Sequence, residues 1–178
     1  MGLAAVIAAA GEHARGPAPV HLWNPAHCGE IDILIRADGV WMHEGSPIGR
    51  AELVRLFSTV LRKDPDGYHL VTPGEKLRIQ VEDAPFRAVR VDRVENGDLA
   101  FTTDVGDVVV ADADHPIRVE AGADGQPAPC ILVRAGLEAR IARPVFYELV
   151  ETAEREGHQL RVRSGGRWWS LGRLEGAA

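Results

Sequence analysis

The sequence predicts an α+β protein of two β-rich lobes, each with one helix packed on a largely antiparallel sheet, preceded by a short N-terminal helix. Three observations predict this fold: short segments in which apolar and polar residues alternate, two amphipathic helical stripes, and an order of elements that occurs twice. The chain has 178 residues, 46% hydrophobic and 26% charged, as in an ordinary globular protein. This length allows one large core or two small ones that share an interface.

The N-terminal residues 3–10 are apolar and predict a short helix that docks on the body. No Lys or Arg precedes them, and they are far fewer than the ~20 residues of a membrane span, so a docking helix is favoured over a signal peptide. Gly16, Pro17 and Pro19 end this helix. The chain then continues as an extended arm over residues 21–25.

The first lobe opens with a predicted hairpin. Ile31, Ile33 and Ile35 share one face of a strand over residues 30–36, and Ala37-Asp38-Gly39 turns the chain into a second strand at residues 40–42.

Ser46-Pro47 then predicts the start of a helix, because Ser caps free N–H groups and Pro at the first helical position has no N–H to lose. The apolar stripe of this helix consists of Leu53, Leu56, Phe57 and Val60. The segment Asp64-Pro65-Asp66-Gly67 is expected to end it.

From Tyr68 onward the pattern predicts strands almost continuously to residue 144. Asn96-Gly97 is the clearest hairpin turn, because both residues of such a turn need positive φ. The strands are predicted at residues 68–71, 77–82, 86–94, 99–101, 108–110, 117–119, 131–135 and 137–141. A helix over residues 144–156 and strands at residues 160–163 and 168–174 complete the chain.

The order strand, strand, helix, strand occurs twice, which indicates an internal duplication. Residues 33–37 match residues 131–135 in type, and the helix-opening prolines Pro47 and Pro144 follow at nearly equal distances. Chance similarity between two Ala-, Val- and Arg-rich segments is the alternative. We assign residues 1–20 to the N-terminal helix and linker, 21–95 to the first lobe and 96–178 to the second, and we expect a ligand at their interface.

Composition argues against several partners. A net charge of -6 without a basic block opposes binding to nucleic acid, which needs clustered cations. Cys28 and Cys130 stand about a hundred residues apart without a CxxC partner, so the sequence predicts reduced thiols in a cytoplasmic protein, with no disulfide and no zinc site. No cofactor and no membrane partner is predicted, and the sequence leaves the oligomeric state open.

The segment Glu44-Gly45-Ser46-Pro47-Ile48-Gly49-Arg50 is the first candidate binding site. A turn before a helix N-terminus attracts anions, and Arg50 is placed to clamp a carboxylate or phosphate there, with Glu44 and Ser46 beside it. The alternative is that Ser46 only caps the helix.

A second candidate site is a polar groove on the sheet. Lys76, Arg78, Glu82 and Asp83 are expected to line it, with Arg90 and Asp92 on the next strand. A solvated face of mixed charge is the alternative, and Thr72-Pro73-Gly74-Glu75-Lys76 lacks the spacing of a nucleotide-binding loop.

A cluster of possible metal ligands lies near the arm and consists of His21, His27, Cys28, Glu30 and Asp32. Neighbouring residues of a strand point to opposite faces, so a packed cysteine beside solvated histidines is favoured over a metal centre.

Several phrases of the chain resemble a bacterial family of unknown function, DUF1285. They are Trp23-Asn24-Pro25 with Cys28-Gly29, residues 38–48, 53–57 and 67–73, and Val81-Glu82-Asp83-Ala84-Pro85-Phe86. The resemblance implies a two-part α+β fold with a repeated motif and a role in signalling or regulation. It supplies no active-site residues.

Three functional hypotheses follow. The leading one is a non-catalytic regulatory or signalling-related protein that binds a small anionic molecule or a protein partner between the lobes. The second is a small hydrolase or transferase with acids and bases from both lobes, drawn from His43, His69, Glu82 and Asp83. The third is an interaction protein anchored by Trp168 or Trp169. No GxSxG elbow favours catalysis.

Overall fold

A computed structural model describes residues 2–12 and 16–175 of the chain. Residues 1, 13–15 and 176–178, which belong to the predicted N-terminal segment and second lobe, lie outside this description. The chain divides into two compact units, residues 1–85 and 86–178. The sequence placed the division after residue 95, whereas the structure places it before the strand that begins at Phe86, because that strand pairs with strands of the second unit.

The described residues of the first unit form two α-helices and six strands. They are α1 Leu3–Gly11, a 3₁₀ turn Val20–Leu22, β1 His27–Ile35, β2 Trp41–His43, β3 Ser46–Pro47, α2 Ala51–Thr59, β4 Leu61–Asp64, β5 Gly67–Val71 and β6 Glu75–Val81. The strands form one sheet in the order β3-β2-β1-β6-β5-β4. Neighbours are antiparallel except at the centre, where β1 and β6 run parallel.

Helix α2 lies on this sheet through its apolar stripe. Phe57 is fully buried and its ring stacks on that of Trp41, with 6.4 Å between the ring centroids. Val60, which follows the last helical turn, is also fully buried, while Leu53 and Leu56 are partly exposed. The predicted stripe is therefore confirmed, and it builds the core of the first unit.

The predicted limits of this helix were wrong at both ends. Glu44 and Gly45, with φ of 49° and 78°, form a tight turn that pairs Ser46 with His43, so Ser46-Pro47 is an edge strand and not a helix start. The helix begins at Ala51, after Arg50. It ends at Thr59, because β4 follows directly and pairs with β5 across Pro65-Asp66, the segment that was expected to stop the helix.

Up to residue 175, where the description ends, the second unit contains nine strands and one helix. They are β7 Phe86–Arg93, β8 Leu99–Thr103, β9 Val108–Val110, β10 Ile117–Ala121, β11 Pro127–Arg134, β12 Leu137–Ile141, α3 Arg143–Glu151, β13 Glu154–Glu156, β14 Gln159–Ser164 and β15 Arg167–Arg173. Six strands form a sheet in the order β10-β11-β12-β7-β8-β9, and β13-β14-β15 form a small antiparallel sheet. Helix α3 is shorter than predicted, because the chain turns at Gly157 and pairs Glu154–Glu156 with β14.

The two six-stranded sheets share one topology. Adding six to each strand number of the first sheet gives β9-β8-β7-β12-β11-β10, which is the order of the second sheet read from its other edge. In both sheets the two central strands are parallel and all other pairs are antiparallel. The predicted duplication is therefore confirmed for the sheets. The sequence match equated β1 with β11, however, whereas the sheet order equates β1 with β7, and α2 and α3 follow different strands in the two copies.

The described helices α1, α2 and α3 have nine residues each. None of them is long and apolar enough to cross a membrane, which takes ~20 residues.

Candidate functional site

The residues of the first candidate site are close in sequence but do not form the predicted helix-start site. Glu44 lies in the hairpin turn and Ser46 in β3, while Arg50 stands at the N-cap position of α2 with an exposed side chain. No side chain among the described residues caps this helix end. Ser46 is not at the N-terminus of this helix, so the two do not form the predicted anion-binding site.

The second candidate set divides into two parts. Glu82 uses a carboxylate oxygen to accept a hydrogen bond of 2.7 Å from the backbone N–H of Ala37, so it closes the turn after β1. Asp83 follows it in an exposed bend. Arg90 and Asp92 form an exposed ion pair with each other on β7. Lys76 and Arg78, in contrast, line a cavity.

This polar cavity of about 290 Å³ lies beside the parallel pair of the first sheet. The register places Cys28 next to Lys76 and Glu30 next to Arg78, and His69 of β5 faces Arg78 from the other side. Side chains of paired residues share a face of the sheet, so the topology brings these groups together. The cavity is lined by Cys28, Gly29, Glu30, Asp66, His69, Lys76 and Arg78.

An ion-pair network centred on Asp64 lies beside this cavity. Asp64 accepts hydrogen bonds from both Arg62 Nε at 2.9 Å and Arg62 Nη2 at 3.0 Å, and its Oδ2 lies 2.6 Å from Lys76 Nζ. Burial acts to raise the pKa of Asp64, but the hydrogen bonds and charges of Arg62 and Lys76 together lower it. The remaining Arg62 nitrogen donates to the carbonyls of Val20 and Trp23, at 2.8 Å each, and so fixes the arm.

Asp64, Asp66 and His69 are close enough together to be considered as a metal site, with one possible ligand atom from each within 4.8 Å of the others. Lys76 argues against it, because its ammonium group lies 2.6 Å from Asp64 and 4.0 Å from Asp66, where a metal cation would have to bind. We therefore interpret the cluster as an internal ion-pair network. The five possible metal ligands named from the sequence are also split, since only Cys28 and Glu30 line the cavity.

His69 is buried, with 3% of its surface exposed. Its Nδ1 lies 3.6 Å from Asp64 and has no hydrogen-bond partner within the described part of the chain. Burial lowers the pKa of His69, with a further contribution from the positive charge of Lys76, while Asp66 and Asp64 act in the opposite direction.

The candidate catalytic acids and bases are not brought together in the polar cavity. Of His43, His69, Glu82 and Asp83, His69 lines the polar cavity, whereas Glu82 holds a turn and His43 pairs within the β2–β3 hairpin.

A larger cavity, of about 380 Å³, lies in the second unit, and we call it the arginine pocket. Arg87 of β7 and Arg140 of β12 are direct neighbours in the parallel pair of the second sheet. Helix α3 starts two residues after β12 and brings Arg143 to the same cavity. The described residues that line the pocket are Arg87, Gln126, Pro127, Pro129, Arg140, Ile141, Ala142, Arg143, Phe146 and Tyr147.

Local contacts orient the Arg140 side chain and hold the backbone at Arg87. Arg140 Nη1 donates to the carbonyl oxygens of Ala128 at 2.7 Å and Pro129 at 3.3 Å. The backbone N–H of Arg87 donates to the carboxylate of Asp104 at 3.0 Å. Arg143 is exposed and has no ion pair with the described residues. No Asp or Glu occurs among the described residues that line the cavity, so this lining is positively charged.

Sequence reasoning missed this pocket because its residues are scattered over four separate segments. The predicted helix start at Pro144 was a usable signal, since Arg140 and Arg143 lie just before it.

Comparison with known proteins then identifies the family. The N-terminal domain model of a family described as DUF1285, a domain of unknown function, matches residues 18–84, and the C-terminal domain model matches residues 85–171. The chain belongs to the DUF1285 family. The border between the two DUF1285 models lies one residue from the border between the two compact units.

Two solved DUF1285 structures are similar to the chain. A DUF1285 family protein from Silicibacter pomeroyi DSS-3 is 46% identical, with a TM-score of 0.89, over 97% of this chain and 96% of that chain. A second, from Shewanella baltica OS155, is 29% identical, with a TM-score of 0.56, over 67% of this chain and 90% of that chain. No functionally curated protein matches the chain. The DUF1285 assignment thus establishes the family and the fold.

Proposed function

We propose that this DUF1285 protein is a non-catalytic regulatory protein of the cytoplasm that binds a small anionic molecule in the arginine pocket. The observation that carries the proposal is the convergence of Arg87, Arg140 and Arg143 on one cavity without an acidic residue among its described lining. A cavity of about 380 Å³ lies in the range of small-molecule sites.

The guanidinium groups favour an anion for two reasons. Arg87 and Arg140 are direct neighbours on adjacent strands and both line the cavity, so their positive charges act together on an anion bound there. Arginine also presents a planar set of N–H donors that matches a carboxylate or phosphate group in two parallel hydrogen bonds.

The chemistry of the lining supports binding over catalysis. Its apolar members, among them Ile141, Phe146 and the two prolines, offer contacts for an apolar part of the ligand. Apart from the Tyr147 phenol, the described lining holds no side chain suited to proton transfer or nucleophilic attack. A protein with such a site would respond to whether the ligand is bound in the pocket, which favours a regulatory or signalling role.

Thermal unfolding in the presence of benzoate, phenyl phosphate and neutral benzyl alcohol tests the proposal. We expect the two anions to raise the melting temperature and benzyl alcohol to leave it unchanged, because ligands that bind the folded state stabilise it. Arg143→Ala should weaken anion binding by roughly 10- to 100-fold, the loss typical of a hydrogen bond to a charged group.

Arg167→Ala, which changes an exposed arginine of β15 outside the pocket, is the matched control. Equal stabilisation by the anions and by benzyl alcohol, or equal anion binding by the two variants, would contradict the proposal.

A further inference from the structure

A second cavity adjoins the arginine pocket within the same unit. It has a volume of about 340 Å³ and shares Pro127 and Phe146 with the arginine pocket as common walls. We call it the apolar groove, and most of its lining is hydrophobic: Val119, Ala121, Val150, Leu160 and Leu171. These residues come from β10, α3, β14 and β15, so the groove is built where the small sheet meets the larger one.

We infer that the ligand of the arginine pocket is a single-chain fatty acid, whose carboxylate binds among the arginines while its hydrocarbon chain lies in the apolar groove. This inference rests on the proposed function and specifies its ligand. It is supported by the adjacency of the two cavities, which share Pro127 and Phe146, and by their opposite chemistry, since one is lined by three cationic side chains and the other mainly by aliphatic ones. A molecule that satisfies both must be an anion at one end and apolar along the rest.

The charge of the chain favours a free fatty acid over a membrane surface. Binding to an anionic bilayer depends on clustered Lys and Arg residues, whereas this chain has a net charge of -6. Glu120 and Arg173, the charged residues of the described groove lining, are both exposed and of opposite sign, so the groove itself does not present a basic face.

Burial of the hydrocarbon chain in the apolar groove supplies most of the binding affinity. Each methylene group that leaves water should tighten binding roughly fourfold, until the groove is filled. Affinity should therefore rise steeply with chain length, and it should require the anionic head.

Isothermal titration of the full chain with butanoate, octanoate and dodecanoate tests this inference. We expect affinity to increase in that order, by roughly fourfold for each methylene that enters the groove. Dodecyltrimethylammonium, with the same chain and a cationic head, should bind at least about tenfold more weakly than dodecanoate, because the arginines repel it. The wild-type series requires no variant that might impair folding.

Two variants test where the hydrocarbon chain of the fatty acid binds. Val150→Asp places a carboxylate in the groove and should weaken dodecanoate binding at least about tenfold while butanoate binding stays the same. Val108→Asp, at a 64% exposed valine of β9, is the matched control and should bind dodecanoate like the wild type.

The outcomes separate this inference from the proposed function. Binding that depends on Arg143 but not on chain length would overturn the fatty-acid inference and leave the anion pocket standing. No binding of any anion would overturn both. Sedimentation of the protein with phosphatidylglycerol vesicles, without binding of free dodecanoate, would overturn the free fatty acid in favour of a membrane surface.

Discussion

At the scale of single residues, Lys76 of the polar cavity and Arg143 of the arginine pocket differ in charge pairing. Asp64 is held by Arg62 and Lys76, so Lys76 already has an anionic partner in the chain. Arg143 of the second unit has no such partner among the described residues. The same residue type therefore stabilises the fold at Arg62 and is available to a ligand at Arg143.

His69 makes the stability of the protein depend on pH. Its pKa is lowered by burial, so below about pH 6.5 the unfolded chain takes up a proton that the folded chain does not, and the free energy of unfolding falls. We expect this fall, between about pH 7 and about pH 5, to be shallower in His69→Gln.

Urea unfolding across this pH range measures the effect, with His158→Gln, which replaces an exposed histidine, as the matched control. A His69→Gln profile parallel to that of the wild type would contradict the assigned effect of burial.

At the scale of secondary-structure elements, sequence patterns correctly predicted features that depend on residues close together in the chain. The predicted hairpin joins β7 and β8, and the stripe around Phe57 packs on the sheet as expected. The predicted turn geometry was wrong, because Gly97 has a positive φ, of 86°, but Asn96 does not, and the turn runs from Val94 to Gly97. Ser46-Pro47 was misassigned because the same two residues suit a helix start and an edge strand. The positive φ of Glu44, which a non-glycine residue rarely adopts, decided between them.

Pairings between distant strands could not be predicted from local patterns. The parallel pair β1–β6 places Cys28 beside Lys76, and the parallel pair β7–β12 places Arg87 beside Arg140. Lys76 and Arg78 were singled out by their alternation, but Arg87, Arg140 and Arg143 become a set only through this long-range register.

The small sheet of the second unit is joined to the larger one at Ser164 and Gly165. The buried Ser164 hydroxyl donates to the carbonyl of Ala111 at 2.7 Å and accepts from the N–H of Leu99 at 2.8 Å. Gly165 has φ of 59°, and a Cβ atom placed on it would lie 2.6 Å from Cα of Asp112. A side chain at residue 165 therefore cannot fit without a backbone shift.

We expect Gly165→Ala to lower the free energy of unfolding by more than about 2 kcal/mol, as backbone strain and a steric clash add together. Gly166→Ala separates the two causes, because Gly166 also has a positive φ, of 70°, but has open space around it. It should cost only about 1 kcal/mol. Equal losses in the two variants, measured by urea unfolding, would show that the close approach to Asp112 does not matter.

At the scale of the whole molecule, one sheet topology occurs twice and carries two different cavities. In each unit a cavity lies beside the central parallel strand pair, next to Lys76 in the first sheet and Arg140 in the second. In the first unit, acidic residues balance the cations. In the second, the described lining has no acidic residue, which favours the second unit as the binding unit of the protein.

The most direct test of this account is a titration of the ¹⁵N-labelled full chain with octanoate, followed by the amide resonances of each residue. We expect the largest chemical-shift changes at Gln126, Arg143 and Tyr147, around the arginine pocket, and their loss in Arg143→Ala. Changes centred instead on Arg50 or Lys76 in the first unit, or no changes at all, would contradict the account.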